Sequence, residues 1–137
     1  MQVDYARVPS KPASKAAFWG GCVLAIVPAG MMVMSAAMKL VKPPQVSEGM
    51  AKFGWPERYL PALAAVELAC VILFLIPRTA VLGAILMTGY LGGACATHAR
   101  LGDPMLANAV VLGVFAWLGL YLRDPRVREL APLRRLP

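Results

Sequence analysis

Charge is scarce in this chain. Only 15% of its 137 residues are Asp, Glu, Lys or Arg, while 59% are hydrophobic, against the roughly 45–50% of an average soluble domain. A soluble protein this small must cover a large surface with polar groups, and the few charges here cluster instead at the ends of apolar runs. The apolar excess needs lipid as its solvent, and the length allows a single domain of about four long elements. Cysteine is equally sparse: Cys22, Cys70 and Cys95 make an odd count with no Cys-x-x-Cys spacing. With one histidine and no acidic cluster, a protein-only metal site has no ligand set, so no metal is expected. No internal repeat, low-complexity tract or soluble domain is evident.

What the chain does have is four uncharged blocks. Ala16–Met38, Ala80–Thr97 and Pro104–Leu122 contain no Asp, Glu, Lys or Arg, and Leu60–Pro77 contains only Glu67. Each is close to the ~20 residues that carry an α-helix across ~30 Å of hydrocarbon. Lipid admits only helices or closed barrels, and continuous apolar runs lack the alternation of barrel strands. The expected fold is therefore an all-α membrane protein. One transmembrane domain over residues 1–137 forms a four-transmembrane-helix bundle, with helices at about 16–41, 60–77, 80–100 and 104–122.

Punctuation supports these limits. Pro61 falls in a first helical turn, where its missing N–H costs nothing. Pro77-Arg78-Thr79 is a short link with Thr79 expected as the next N-cap, and Gly102-Asp103-Pro104 pairs a helix-ending glycine with a capping aspartate. Pro28 is expected to kink the first span. That span is longer than the usual 7–15-residue core of a signal peptide and reads as retained.

The Lys and Arg distribution sets the orientation. Nine fall on the side of the termini (Arg7, Lys11, Lys15, Arg78, Arg123, Arg126, Arg128, Arg134, Arg135). Five (Lys39, Lys42, Lys52, Arg58, Arg100) fall on the other, which puts both termini in the cytoplasm and the loop between helices 1 and 2 outside. The net charge of +7 and the basic tail 123–137 suit anionic lipid headgroups. The tail's arginines lack interleaved aromatics, so no nucleic-acid partner is expected. The loop 41–59 carries Met50, Phe53 and Trp55 and reads as a segment at headgroup level, either a packed lid or a gate, with a short helical turn near Ser47 and Glu48. On this topology helix rise separates Cys70 and Cys95 by roughly 9 Å in depth, too far for an easy disulfide, and structural thiols are expected.

Glu67 is the sharpest feature. A carboxylate about seven residues into a span costs on the order of 2.5–3.5 kcal/mol unless it faces the bundle with a partner. Lys39, His98 and Arg100 end their spans at similar depth, Tyr90 offers a hydroxyl, and Asp103 begins the last span. These groups are expected to converge because odd spans end, and even spans begin, on the same side. The result is either a ligand-binding cluster (Glu67, Lys39, Tyr90, His98, Arg100) over an apolar cavity or a polar network that locks the helices. In the network reading Glu67 is protonated or paired to Lys39. Gly89 and Gly93, four apart, are expected to serve close helix packing.

The stretches Gly54-Trp55-Pro56, Val66-Glu67-Leu68, Leu75-Ile76-Pro77-Arg78-Thr79 and Gly89-Tyr90-Leu91-Gly92-Gly93-Ala94 resemble the DoxX-like family, as do Thr97-His98-Ala99-Arg100 and Leu122-Arg123-Asp124-Pro125-Arg126. The resemblance implies a four-helix protein of the bacterial cell inner membrane. Some relatives are linked to the membrane subunits of thiosulfate:quinone oxidoreductase, others to redox or oxidative-stress partners. It brings no catalytic residue. The expectation is a non-catalytic component of a redox-associated assembly, with no intrinsic cofactor, holding a quinone or lipid in an outer-leaflet pocket and contacting membrane lipids and other membrane subunits or its own copies. A small proton-coupled transporter and a purely structural subunit are the alternatives.

Overall fold

The computed structural model describes residues 13–130, so Arg7, Lys11, Arg134 and Arg135 of the orientation argument lie outside the described residues. Within them every regular element is helical: α1 Lys15–Val41, α2 Pro44–Lys52, a single 3₁₀ turn Glu57–Tyr59, α3 Leu60–Leu75, α4 Ala80–Arg100, α5 Leu106–Arg123 and α6 Pro125–Leu130. α1, α3 (with its 3₁₀ lead-in), α4 and α5 are long and apolar enough to cross a membrane.

The helix ends follow from local chemistry, with several corrections. Ser14 caps α1, its Oγ accepting from the Ala17 N–H at 3.2 Å. α1 then runs unbroken through the buried Pro28 to a left-handed Lys42, which lets Lys42 N–H reach the Met38 carbonyl. α2 begins at Pro44, three residues before the expected turn at Ser47, because extended Pro43 sets the cap and Pro44 occupies the first turn. α3 stops at Leu75, short of Pro77. Ile76 precedes that proline and is extended, as the pyrrolidine ring requires. Thr79 makes no side-chain cap to α4; its Oγ1 donates to the Leu73 carbonyl at 2.8 Å, closing an orphan acceptor of α3. Asp103 Oδ1 accepts from Met105 N–H at 2.8 Å, and α5 starts at Leu106, two residues beyond Pro104.

The membrane helices pack as a ring in which α1 and α4 each touch both α3 and α5; among the described residues neither diagonal pair brings its backbones close together. Small side chains face inward: Ala25, Ala29 and Ala36 of α1, Ala64 of α3, Ala84 of α4 and Ala116 of α5 are buried. Many large apolar side chains face outward, with Trp19 67% and Ile26 63% exposed, while Phe74, Met32, Met87 and Leu120 are buried among the alanines. The inward alanines suit lipid, where small residues let helix backbones approach closely. The closest approaches lie at Gly21, Gly83 and Gly119. A Cβ on Gly21 would meet the Gly119 carbonyl oxygen at 2.7 Å, and one on Gly83 would enter the Phe74 backbone.

Gly89 and Gly93 therefore do not play the packing role expected of them within this chain: among the described residues no heavy atom lies within 4 Å of a Cβ built on either. The beginning of the basic tail is also ordered into the fold. Asp124 Oδ1 accepts from Arg126 N–H, α6 forms, and Val127 is buried against the bundle. All three cysteines are free, Cys70 buried and Cys22 and Cys95 half-buried.

Candidate functional site

At the end of the ring where α1 and α4 finish and α3 and α5 begin, the helices leave a cavity of about 600 Å³. Its walls come from α1 (Met31, Ser35, Lys39), α3 (Leu63, Glu67), α4 (Gly89, Tyr90, Gly93, His98) and α5 (Met105, Asn108, Leu112). Val46, Gly49, Met50 and Phe53 of the α2 segment line it too, with Trp55 beyond. The loop between the first two spans is thus part of the cavity wall. The cavity reaches the molecular surface, since its lining includes Met34, 63% exposed.

Glu67 is the only buried charged residue among the described ones. Lys39 Nζ donates to its Oε2 at 2.8 Å, and the two side chains are 12% and 3% exposed respectively. Lys39 also donates to Ser35 Oγ one turn earlier on α1. The pair ties α1 to α3. It also approaches α4, because Lys39 Nζ lies 5.9 Å from the centroid of the Tyr90 ring. Helix periodicity explains the convergence: Ser35 and Lys39 are i and i+4 on α1, and Glu67 lies on the same α3 face as buried Ala64 and Val71. A paired charge in a low-dielectric wall is held in one geometry, because losing either partner leaves the other buried and uncompensated.

His98 lies at the α2 end of the cavity. Its ring packs edge-on against Phe53 at 4.7 Å between centroids. Its Nδ1 is 3.2 Å from Asp103 Oδ2 but lacks the alignment of a hydrogen bond and so counts as an unpartnered buried atom. The contact becomes an ion pair when the imidazole is protonated. The Asp103 carboxyl is held below its usual value, first by the Met105 N–H and next by His98.

Of the six residues expected to converge, Glu67, Lys39, Tyr90 and His98 line one cavity. Arg100 does not. It is exposed, outside the cavity wall, and its Nη2 donates to the Phe53 carbonyl at 3.4 Å. Two residues past His98 the side chain has rotated off the cavity face, and Arg100 ties the segment after α2 to the end of α4. Asp103, expected beside Arg100, faces His98.

Sequence reasoning missed the methionines. Six of the eight (Met31, Met32, Met34, Met38, Met50 and Met105) line this one cavity. The partial signal was Met31, Met34 and Met38 at i, i+3 and i+7, one stripe of α1; Met50 and Met105 join only through the fold. Nor were Gly89 and Gly93 legible as wall positions, where absent side chains leave open volume. A second cavity of about 600 Å³, almost wholly apolar, lies between α4 and α5, with Cys95, Trp117, Tyr121 and Val127 in its wall. Leu91 and Ala109 belong to both cavities and stand between them.

Four apolar spanning helices define a multi-pass helical membrane protein. Among the described residues no group of His, Cys, Asp and Glu is arranged to hold a metal ion. The chain belongs to the DoxX-like family, whose model matches residues 23–119. No curated protein and no solved structure matches it.

Proposed function

We propose that this protein is a non-catalytic membrane component that holds a quinone-like or lipid ligand in the cavity under α2. The observation that carries the reading is the Lys39–Glu67 pair, 2.8 Å apart in the wall of a mainly apolar space of about 600 Å³. Ligand sites take this form: apolar walls that accept the bulk of a ligand, and a few placed polar groups that orient it. Lys39 and Tyr90 supply donors near the pair, and His98 offers a further polar group at the α2 end. On the Lys and Arg distribution the cavity belongs to the outer leaflet of a bacterial inner membrane. The redox-associated setting rests on the family alone.

The test is mass spectrometry of lipids and quinones retained after gentle detergent purification from native membranes. Glu67→Gln is expected to purify with normal helix content but to retain less of a ligand that the wild type carries. Equal ligand content in both, or none in the wild type, removes the reading.

A further inference from the structure

Resting on that ligand-binding reading, the cavity's charge arithmetic narrows the class of ligand. We infer that the Lys39–Glu67 pair is a selectivity element that admits amphiphiles with an uncharged, hydrogen-bonding head and rejects those whose head carries net charge. Three observations carry this.

The first is electrical balance. Among the described residues Lys39 and Glu67 are the only Asp, Glu, Lys or Arg side chains in the lining, and they form one ion pair in direct contact. His98 faces Asp103, 3.2 Å away, which would balance the imidazole if it were protonated. An anionic or a cationic head would add a charge that this balanced pair does not compensate. Holding that charge in a desolvated wall carries a penalty that hydrophobic contact of the tail does not relieve.

The second is unused hydrogen-bonding capacity. Of the three Nζ protons of Lys39, two are directed at Ser35 and Glu67 among the described residues. The third is free for a carbonyl or hydroxyl oxygen of the ligand. A neutral acceptor completes the ammonium without breaking the pair.

The third is the wall. Six methionines, unbranched and polarisable, line the cavity, and such surfaces repack around varied apolar shapes. Selection therefore falls on the head and only loosely on the chain, which suits an isoprenoid quinone and a neutral glycerolipid alike.

The experiment is competitive retention in lipid nanodiscs, read by native mass spectrometry. The probes share one dodecyl tail and carry a glycerol, a sulfonate or an ammonium head, with a decyl-substituted benzoquinone as a fourth. Wild type should retain the glycerol probe or the benzoquinone at least about tenfold better than either charged probe, a difference of ~1.4 kcal/mol. Which neutral probe leads separates a lipid source from a quinone source.

Glu67→Gln, which leaves the ammonium alone, should move preference toward the sulfonate, and Lys39→Met should move it toward the ammonium. The double variant K39M/E67Q restores a wall without net charge and should return the neutral probes to first place. It also keeps the test alive if Lys39→Met fails to fold. Retention of no probe by wild type removes the ligand-binding reading itself. Retention of charged probes equal to neutral ones, or an order unchanged by Glu67→Gln, overturns the selectivity inference and leaves ligand binding standing.

Discussion

The two ends of the bundle are built from similar residues to opposite purposes. At the end that holds the α3–α4 turn, glycine brings backbones together: Gly21 against Gly119, and Gly83 against Phe74. Arg123 closes that end, donating from Nη2 to the Phe74 carbonyl at 2.9 Å and lying over the Phe74 ring at 4.8 Å. At the α2 end, Gly89 and Gly93 touch nothing within 4 Å among the described residues, and the helices stand apart around a cavity. Glycine does not itself mean close packing. It means that no side chain fills the space, and the neighbouring helix decides whether backbone or ligand takes it.

The comparison is tested hardest at the glycines. Gly83→Leu should destabilise by about 3 kcal/mol or more, since the obstruction is Phe74 backbone and not a movable side chain. The measurement is the yield of monodisperse protein and its thermal unfolding in detergent. Gly93→Ala should stay within about 0.5 kcal/mol of wild type, as substitutions in open space do. Equal losses at both positions would abolish the distinction between the ends.

Next in size is the ion pair. Lys39→Met strands a carboxylate that is 3% exposed and should cost about 3 kcal/mol. The double variant K39M/E67Q should recover much of this, giving a coupling energy well above ~0.5 kcal/mol in a thermal-unfolding cycle. Additive losses would mean that the pair does not act as a unit.

A smaller effect belongs to the α4–α5 seam. Trp117 Nε1 donates to Thr88 Oγ1 at 2.8 Å, while Thr88 Oγ1 donates to the Ala84 carbonyl. Trp117→Phe keeps the ring bulk and removes one hydrogen bond between helices, worth about 0.6 kcal/mol on average in a membrane protein. The expected shift in unfolding midpoint is correspondingly slight, and a loss as large as that of Lys39→Met would show that the ring and not the bond holds the seam.

The fold was largely legible because lipid enforces it. The uncharged blocks set the four spans to within a few residues, and the deviations trace to local rules that a block boundary does not encode, such as extended Ile76 before Pro77 and Thr79 reaching back to Leu73. The site was legible in part. Glu67 and Lys39 announced themselves because an intramembrane carboxylate needs a partner. Arg100 misled because proximity in sequence to His98 says nothing of the 200° turn between residues i and i+2 on a helix. The methionine wall and the roles of the glycines were illegible, since both depend on which helices neighbour one another. The matching of Gly21 with Gly119 requires α1 to lie beside α5, which four anonymous apolar runs do not specify.

The smallest effect also separates the two ends, through pH. The loop beside the cavity is tied by Asp103, whose carboxyl is held below its usual value first by the Met105 N–H and then by His98. A carboxylate with a depressed folded-state value contributes stability that is present above its unfolded value, near 3.9, and is lost as pH falls through the folded one. Asp103→Asn keeps an acceptor for Met105 but carries no charge to lose. Wild type should therefore unfold at a slightly higher temperature than Asp103→Asn near pH 6, with the gap closing as pH falls below the usual carboxylate range and the side chain protonates. Because the side chain is only half-buried, the gap should also shrink in added salt. A gap that persists unchanged to low pH would mean that the loop is held by its backbone bonds, Asp103 N–H to the His98 carbonyl among them, and that the open end is as indifferent to charge as the close-packed one.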